Sequence, residues 1–400
     1  MPEIRRRTLL QGLVALGATL PIPAAALPSP DSSSDPRSMA MFRGNPSHTH
    51  YGTGPLSDSP SLQWRFKTDV FLTELHGRPY SWTGTGWSGQ PVVQGHRVVF
   101  GSVDRHVYCL DRRDGSLLWK TAGERMFKSS PCIYRDRVYI GNTDDYLRAL
   151  DLKTGEVVWR HWMRADCDSS PVVAEGRLYV GAEDWNIHCI DPRTGDPIWR
   201  HRVDMSLTEP PGGRGVESSP AVRNGRVYAS AYAGYLYCLD ARTGERIWRY
   251  TTGDDTDSSP VLAHGRVYTG CEDGTIHAID EESGERIWRT RIQSGIWSTV
   301  AVVGDRLHVG GNNKRFYCFD AHSGQLIWEK WIGGRIWSSP NVVDGKVVFG
   351  AYDGTLRMLD AKTGDAIWSY QTDARIVSSA CIVDGQILVG SRDGHLYSFR

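Results

Sequence analysis

The sequence predicts an all-β fold, an eight-bladed β-propeller with four-stranded antiparallel blades, its ring closed by an N-terminal strand. Three observations carry that expectation. Tryptophan returns every 40 residues, at Trp119, Trp159 and Trp199 and again at Trp248, Trp288, Trp328 and Trp368. Each closes a nearly constant phrase that divides into four short strands, with no 3.6-residue apolar period, so a stack of helical repeats is excluded. The last copy stops after its third strand, and a matching fourth strand stands at the other end of the chain.

The phrase is clearest at 258–288. Ser258-Ser259-Pro260 opens a short apolar run over 259–262 that turns at Gly265. Residues 266–270 alternate, and Asp273-Gly274 is a hairpin signal that predicts positive φ at both turn centres. Residues 275–280 read as a third strand, and Arg286-Ile287-Trp288 as the fourth, after a Ser-Gly turn. Copies begin near Ser88, Ser129, Ser169, Ser218, Ser258, Ser298, Ser338 and Ser378. The strand missing from the last is Leu62-Gln63-Trp64-Arg65-Phe66. Its return to the C-terminal blade removes two open sheet edges, which otherwise invite aggregation.

Three segments follow: an export signal over 1–26, a linker and approach segment over 27–60, and the propeller over 61–400. Arg5-Arg6-Arg7-Thr8-Leu9-Leu10-Gln11 precedes a mild apolar stretch, and Ala24-Ala25-Ala26 offers a cleavage site. The pair Arg6-Arg7 with Leu9-Leu10 resembles the twin-arginine motif of proteins exported folded, departing from it at Arg5 and Gln11. The expected location is periplasmic or extracellular. The apolar stretch is too short for a membrane span. The signal holds three of the 46 basic and one of the 46 acidic residues, so the remainder carries two more acids than bases. That balance exerts no pull toward nucleic acid or anionic lipid. Cys109, Cys189, Cys238 and Cys318 share one register of the third strand, where Ala149, Ala278 and Met358 stand in other copies. Equivalent points on different blades are too far apart to bridge, so buried free thiols are expected.

The phrase Asp-x-x-Thr/Ser-Gly-x-x-x-Trp, as at 151–159, 240–248 and 360–368, resembles the PQQ-enzyme repeat. That repeat is shared by pyrroloquinoline-quinone dehydrogenases, by the outer-membrane assembly lipoprotein BamB and by many exported propellers. Met41-Phe42-Arg43-Gly44-Asn45-Pro46 resembles a segment ahead of the first blade in BamB-like relatives. Its Asp, Gly and Trp are framework residues, and fold alone carries no chemistry.

Two inter-blade links are long, 67–87 and 203–216, and both fall on one face. They mark the binding side, with Trp82, Trp87 and Arg214 as candidate partner-binding residues. The residues just before each first strand should ring the channel mouth there. In order they are Trp87, Lys128, Asp168, Glu217, Asp257, Trp297, Trp337 and Val377. Asp168, Glu217 and Asp257 are candidate ligands for a hard cation such as Ca²⁺, which takes six to eight oxygens. The alternative is a solvated funnel whose charges pair with Lys128 and backbone donors. Carried over by position from the quinone dehydrogenases, Lys128 becomes a cofactor-carbonyl partner and Trp297 or Trp337 a stacking wall. Against that stand the missing adjacent Cys-Cys pair and the minimal links of most blades. The expected role is therefore a monomeric protein-binding scaffold for an envelope or secreted partner. The alternatives are a PQQ-dependent oxidoreductase with calcium in the funnel and a small-molecule or sugar sensor.

Overall fold

A computed structural model describes residues 38–75, 78–85, 89–204 and 215–400. The export signal, Trp87 and Arg214 lie outside the described residues. Eight four-stranded antiparallel sheets form the ring. Blade 1 is Val92–Gln94, Arg97–Gly101, His106–Asp111 and Leu117–Ala122, from the innermost strand outward. Blades 2 to 7 repeat that order, and their innermost strands begin at Cys132, Val172, Ala221, Val261, Ala301 and Asn341. Blade 8 joins Cys381–Val383, Gln386–Gly390 and His395–Phe399 to the N-terminal strand Leu62–Lys67. The innermost strands lie side by side around the ring, blade 8 against blade 1.

The tryptophan beat has a physical cause. The closing Trp of blades 1 to 5 donates its indole N–H to a carbonyl of the next blade, for example Trp119 to Leu152 at 3.0 Å, Trp159 to Pro192 at 3.1 Å and Trp288 to Ala321 at 3.0 Å. Trp328 Nε1 of blade 6 is instead buried without an acceptor among the described residues. In blades 1 to 6 the Trp ring lies against the glycine of the next blade's third-to-fourth turn. A Cβ on Gly155, at φ 77°, would stand 2.6 Å from the Trp119 ring, so only glycine permits the contact. Trp64 makes the same contact to Gly115 and donates to the Arg112 carbonyl at 3.1 Å. The N-terminal strand thus supplies both an edge to blade 8 and a staple to blade 1.

The Ser-Ser-Pro segments form a second belt nearer the axis. The amide of each second serine donates to the hydroxyl of its counterpart one blade on: Ser130 to Ser170, Ser170 to Ser219, Ser219 to Ser259, Ser259 to Thr299. Buried amides are satisfied this way without a continuous sheet. Blade 1 carries Gln90 in that place, and its side chain does something else. Its Oε1 accepts the backbone N–H of Arg43 at 3.0 Å.

That bond belongs to a plug the sequence did not announce. Residues 39–53 cross the channel and bond to the innermost strands of several blades. Met39 pairs with Val93, and the amides of Ile133, Val222 and Leu262 donate to the carbonyls of Ala40, Pro46 and Ser47. The fully buried Arg43 guanidinium donates to the carbonyls of Thr299, Val300 and Pro340. His48, from the His48-Thr49-His50 triplet, is buried with Nδ1 2.7 Å from the Pro260 carbonyl. Burial pushes its imidazole down to about 4. The Tyr51 hydroxyl accepts the Val302 amide at 2.8 Å.

Other differences are local. The outer strand of blade 5 runs Arg286–Arg291, past its tryptophan, because it keeps pairing with Thr275–Asp280. At Asp273-Gly274 only Gly274 takes positive φ, 86°, because three residues, 272–274, join the paired Cys271 and Thr275 in place of two. Link 67–87 contains a hairpin, Phe71–Leu75 with Arg78–Trp82. The eight thiols are free and buried, and Cys109, Cys189, Cys238 and Cys318 each sit opposite a blade-closing Trp.

Two outcomes test this account. Deleting residues 62–66 removes the edge and the Trp64 staple together, so the product should aggregate or oligomerise on size exclusion; a monomer with unchanged melting temperature contradicts the closure. Arg43→Ala strands three buried carbonyls and should lower unfolding free energy by about 2–4 kcal/mol in denaturant titration.

Candidate functional site

With the plug across the channel, the mouth opens on the side of the long links. Its geometry follows from one repeated backbone bond. In every blade the second-to-third turn donates an amide to the link that enters the blade: Val103 to Gly84, Thr143 to Met126, Glu183 to Asp166, Tyr232 to Gly215, Glu272 to Asp255, Asn312 to Gly295, Tyr352 to Arg335, Arg392 to Arg375, all at 2.9–3.1 Å. Turn and link side chains are thereby gathered around one rim.

The predicted ring residues meet their neighbours. Lys128 Nζ reaches Asp168 Oδ2 at 2.6 Å. Glu217 feels the charges of Asp168 and Asp257. The carboxylates that converge are Asp168, Glu183 and Glu217, with one oxygen of each within 4.8 Å of the others. Asp257 stands outside this trio. Glu183 comes from the turn at the end of Arg177–Ala182, a register the link-by-link reading of the sequence did not include. Reading the turns in order, with Glu183 and Glu272 among them, is the signal that finds it.

The trio is electrostatically strained. Burial first, then Asp168, Asp257 and Glu183, hold the Glu217 carboxyl well above its ordinary range. Burial and the charges of Asp168 and Asp166 push Glu183 up to about 7, although a hydrogen bond to Glu217 opposes the shift. Asp166 rises to about 6 for the same two reasons, burial and Asp168. Lys128 is the nearby cation that relieves them. Asp168 Oδ1 is buried with no hydrogen-bond partner among the described residues. Carboxylates kept from ionising by one another are those a divalent cation stabilises.

The opposite side of the rim is aromatic and cationic. Trp297 and Trp337 touch, with ring centroids 4.2 Å apart, and Trp337 meets Tyr352 edge-on at 4.4 Å. Trp337 donates to Asn312 Oδ1 at 2.6 Å and is 9% exposed. Arg375 lies over Tyr352 at 5.1 Å, and Arg392 over Trp82 at 5.5 Å. Trp82 is half-buried beneath that guanidinium and beside Tyr80. Leu72, at 72% exposure, stands opposite Ser81 near the open end of the hairpin.

A family model described as the β-propeller of the beta-alanine-activating enzyme matches residues 168–400. The chain belongs to that family. Its repeats are PQQ-like, and solved structures agree on the fold at low identity. A europium-containing methanol dehydrogenase aligns with a TM-score of 0.77 at 15% identity, over 92% of this chain and 98% of its own. BamB from Moraxella catarrhalis aligns at 0.68 and 15%, over 84% and 98%. A quinohemoprotein alcohol dehydrogenase from Pseudomonas putida aligns at 0.74 and 16%, over 91% and 80%. No curated protein matches the sequence.

Fold kinship raises the question of whether the family's propeller mouth here suits pyrroloquinoline quinone. The carboxylate trio suits a divalent cation. The aromatic residues do not suit a sandwiched planar cofactor, because Trp297 and Trp337 are in contact and leave no slot between them. Lys128 is already committed to Asp168. All eight thiols are buried and none neighbours another in sequence.

The raised Glu183 gives a signed prediction. A carboxyl with a raised folded-state value contributes stability below about 4.5 and loses it as pH rises through about 7. Glu183→Gln removes that loss. Its melting temperature should equal the wild type's near pH 4.5 and exceed it at pH 8 in metal-free buffer, as read by paired thermal melts.

Proposed function

We propose that the protein is an exported binding propeller whose mouth holds a Ca²⁺ ion between Asp168, Glu183 and Glu217 and presents it to an envelope or secreted partner. The observation that carries the reading is the carboxylate trio, crowded enough to resist ionisation and set in a mouth plugged from behind. Bound calcium offsets the mutual repulsion of the three groups. The ion keeps open coordination positions toward the rim, because three carboxylates do not fill a shell of six to eight oxygens. A partner's carbonyl or carboxylate completes that shell. The hairpin that carries the exposed Leu72 lends apolar contact across the rim. Likeness to BamB supports the architecture of this reading, and the twin-arginine-like leader supports its location.

A quinone-dependent oxidation is the weaker reading, given the closed Trp297–Trp337 pair. Both are tested in one set of melts on chelator-treated protein lacking the leader. At a hundredfold excess over Kd, Ca²⁺ should raise the melting temperature by about 2–4 °C. The rise should grow from pH 6 to pH 8 as Glu183 gives up its proton, and Glu217→Gln should abolish it. Pyrroloquinoline quinone added with Ca²⁺ should give no further shift. An equal calcium response in wild type and Glu217→Gln refutes the site, and a quinone-dependent shift favours the oxidoreductase.

A further inference from the structure

At the flank of four blade interfaces the repeat sets an acid against the next blade, and at one interface that acid is replaced by a cation. The residue five positions after a blade-closing Trp faces the residue one position after the Trp of the next blade. Between blades 8 and 1 these are Asp69 and Lys120, an ion pair of 2.5 Å. Between blades 3 and 4 they are Asp204 and Arg249, again an ion pair. A tyrosine hydroxyl of the following blade fixes each aspartate, accepting its backbone N–H: Tyr108 for Asp69 at 2.9 Å and Tyr237 for Asp204 at 2.8 Å. By sequence the same positions oppose Glu124 to Arg160 and Asp373 to Arg65. Between blades 2 and 3 they are Arg164 and Arg200. Cation meets cation at this interface alone; Gly253, Gln293 and Gly333 stand in the acid's place at the interfaces that follow blades 4, 5 and 6.

A third guanidinium joins them. Arg164, Arg200 and Arg202, with Asp184 and Asn186, line a cavity of about 250 Å³. Arg200 and Arg202 project from the outermost strand, Pro197–Arg202, opposite His188 and Asn186, so the cavity lies on the flank and not in the mouth. Asp184 brings one negative charge to the three guanidiniums, and its oxygens are held by the turn it belongs to. It accepts from the Asn186 amide at 3.0 Å and from Asn186 Nδ2 at 2.9 Å, and His188 Nε2 lies 3.1 and 3.2 Å from its two oxygens. This is a framework role: Asp104 and Asp393 hold Tyr108 and Tyr397 from the same turn position, at 2.7 Å each. Among the described residues, neither Arg164 nor Arg200 has a carboxylate within 4.0 Å.

We propose that this groove between blades 2 and 3 binds a soluble small molecule bearing phosphate or sulfate. The planar fork of arginine matches such an oxyanion with two parallel hydrogen bonds, and convergent guanidiniums on a walled cavity give the charge and the shape together. The oxyanion takes the place that the Asp69 and Asp204 carboxylates fill at their interfaces. This site is independent of the calcium reading of the mouth.

The test is calorimetric titration of pyrophosphate and of inorganic sulfate into the protein lacking its leader, with Arg164→Asp and Arg164→Gln beside the wild type. Arg164→Asp installs the acid that Asp69 and Asp204 supply at their interfaces and sets it against Arg200, so it should fold with an unchanged or higher melting temperature. Its affinity for pyrophosphate should fall at least tenfold, with Arg164→Gln between the two. No heat at millimolar anion overturns the proposal, as does equal affinity in wild type and Arg164→Asp. Sedimentation with phosphatidylglycerol vesicles without any response to the soluble anions also overturns it.

Discussion

The contact between a blade-closing tryptophan and the turn glycine of the next blade is the constraint on which the rest of this structure depends. A Trp side chain buries roughly 150–250 Å², a gross gain of about 4–6 kcal/mol before ordering is charged against it. The indole N–H also needs an acceptor, and the carbonyl beside the turn provides it. Because every blade leans on its successor, the ring is stable only if no blade lacks one. Blade 8 has no outer strand of its own and blade 1 no preceding tryptophan, and Trp64 meets both needs. At the remaining seam the chain ends before a turn glycine can form. There Trp368 meets Phe399 edge-on instead, with centroids 5.3 Å apart.

Much of this was legible because repetition multiplies weak signals. A lone Asp-x-x-Thr-Gly turn says little, but the same turn placed before tryptophan on a 40-residue beat identifies blade, register and closure together. The plug had no such support. Residues 39–53 have no periodicity, and their partners are backbone carbonyls and amides spread over several blades, which no side-chain pattern records. Arg43, a residue type that is seldom fully buried, is wholly buried there. The mouth was half legible. Lys128, Asp168 and Glu217 stand in the link register that tracks the rim, so their meeting followed from the count of residues. Glu183 stands one turn away, and only the Glu183 to Asp166 amide bond brings it into the same ring. The collapse of Trp297 on Trp337 is a matter of rotamers and of the Asn312 acceptor, neither of which spacing encodes.

Plug and rim together give the mouth its character. A channel open at both ends lets solvent screen its walls from two sides. Closing one end leaves the carboxylates of blades 3 to 5 in a pocket where water is scarcer and mutual repulsion stronger, and Glu183, Glu217 and Asp166 all respond in the same direction. Arg335, Arg375 and Arg392 stand across the rim, around Tyr352. The mouth is therefore polarised, acid on one side and guanidinium with aromatic rings on the other. Such a field orients a dipolar ligand before any contact forms. A uniformly charged funnel attracts without orienting.

Near-identical repeats supply an internal control that a single-copy fold lacks. Each framework residue is present several times, so its structural meaning can be read from the copies: the turn aspartate hooks the residue four positions on, and where an acid follows the tryptophan, as at Asp69 and Asp204, it pairs with the next blade. A position where one copy departs from its counterparts is then released from that structural duty. Arg164 departs by reversing the sign of the charge, which forfeits the ion pair that Asp69 and Asp204 make. An exposed ion pair is worth only about 0.2–1 kcal/mol, so the framework tolerates its loss. Loss alone, however, accounts only for a neutral residue there. Setting a guanidinium against Arg200, in a cavity that Arg202 and the single carboxylate of Asp184 also line, adds positive charge that the fold does not require. The same reasoning distinguishes the mouth from a solvated rim. Gly215 and Tyr232 stand at the positions of Asp166 and Glu183 in blade 4, and Gly295 and Asn312 in blade 6, so the blade itself does not require acids there.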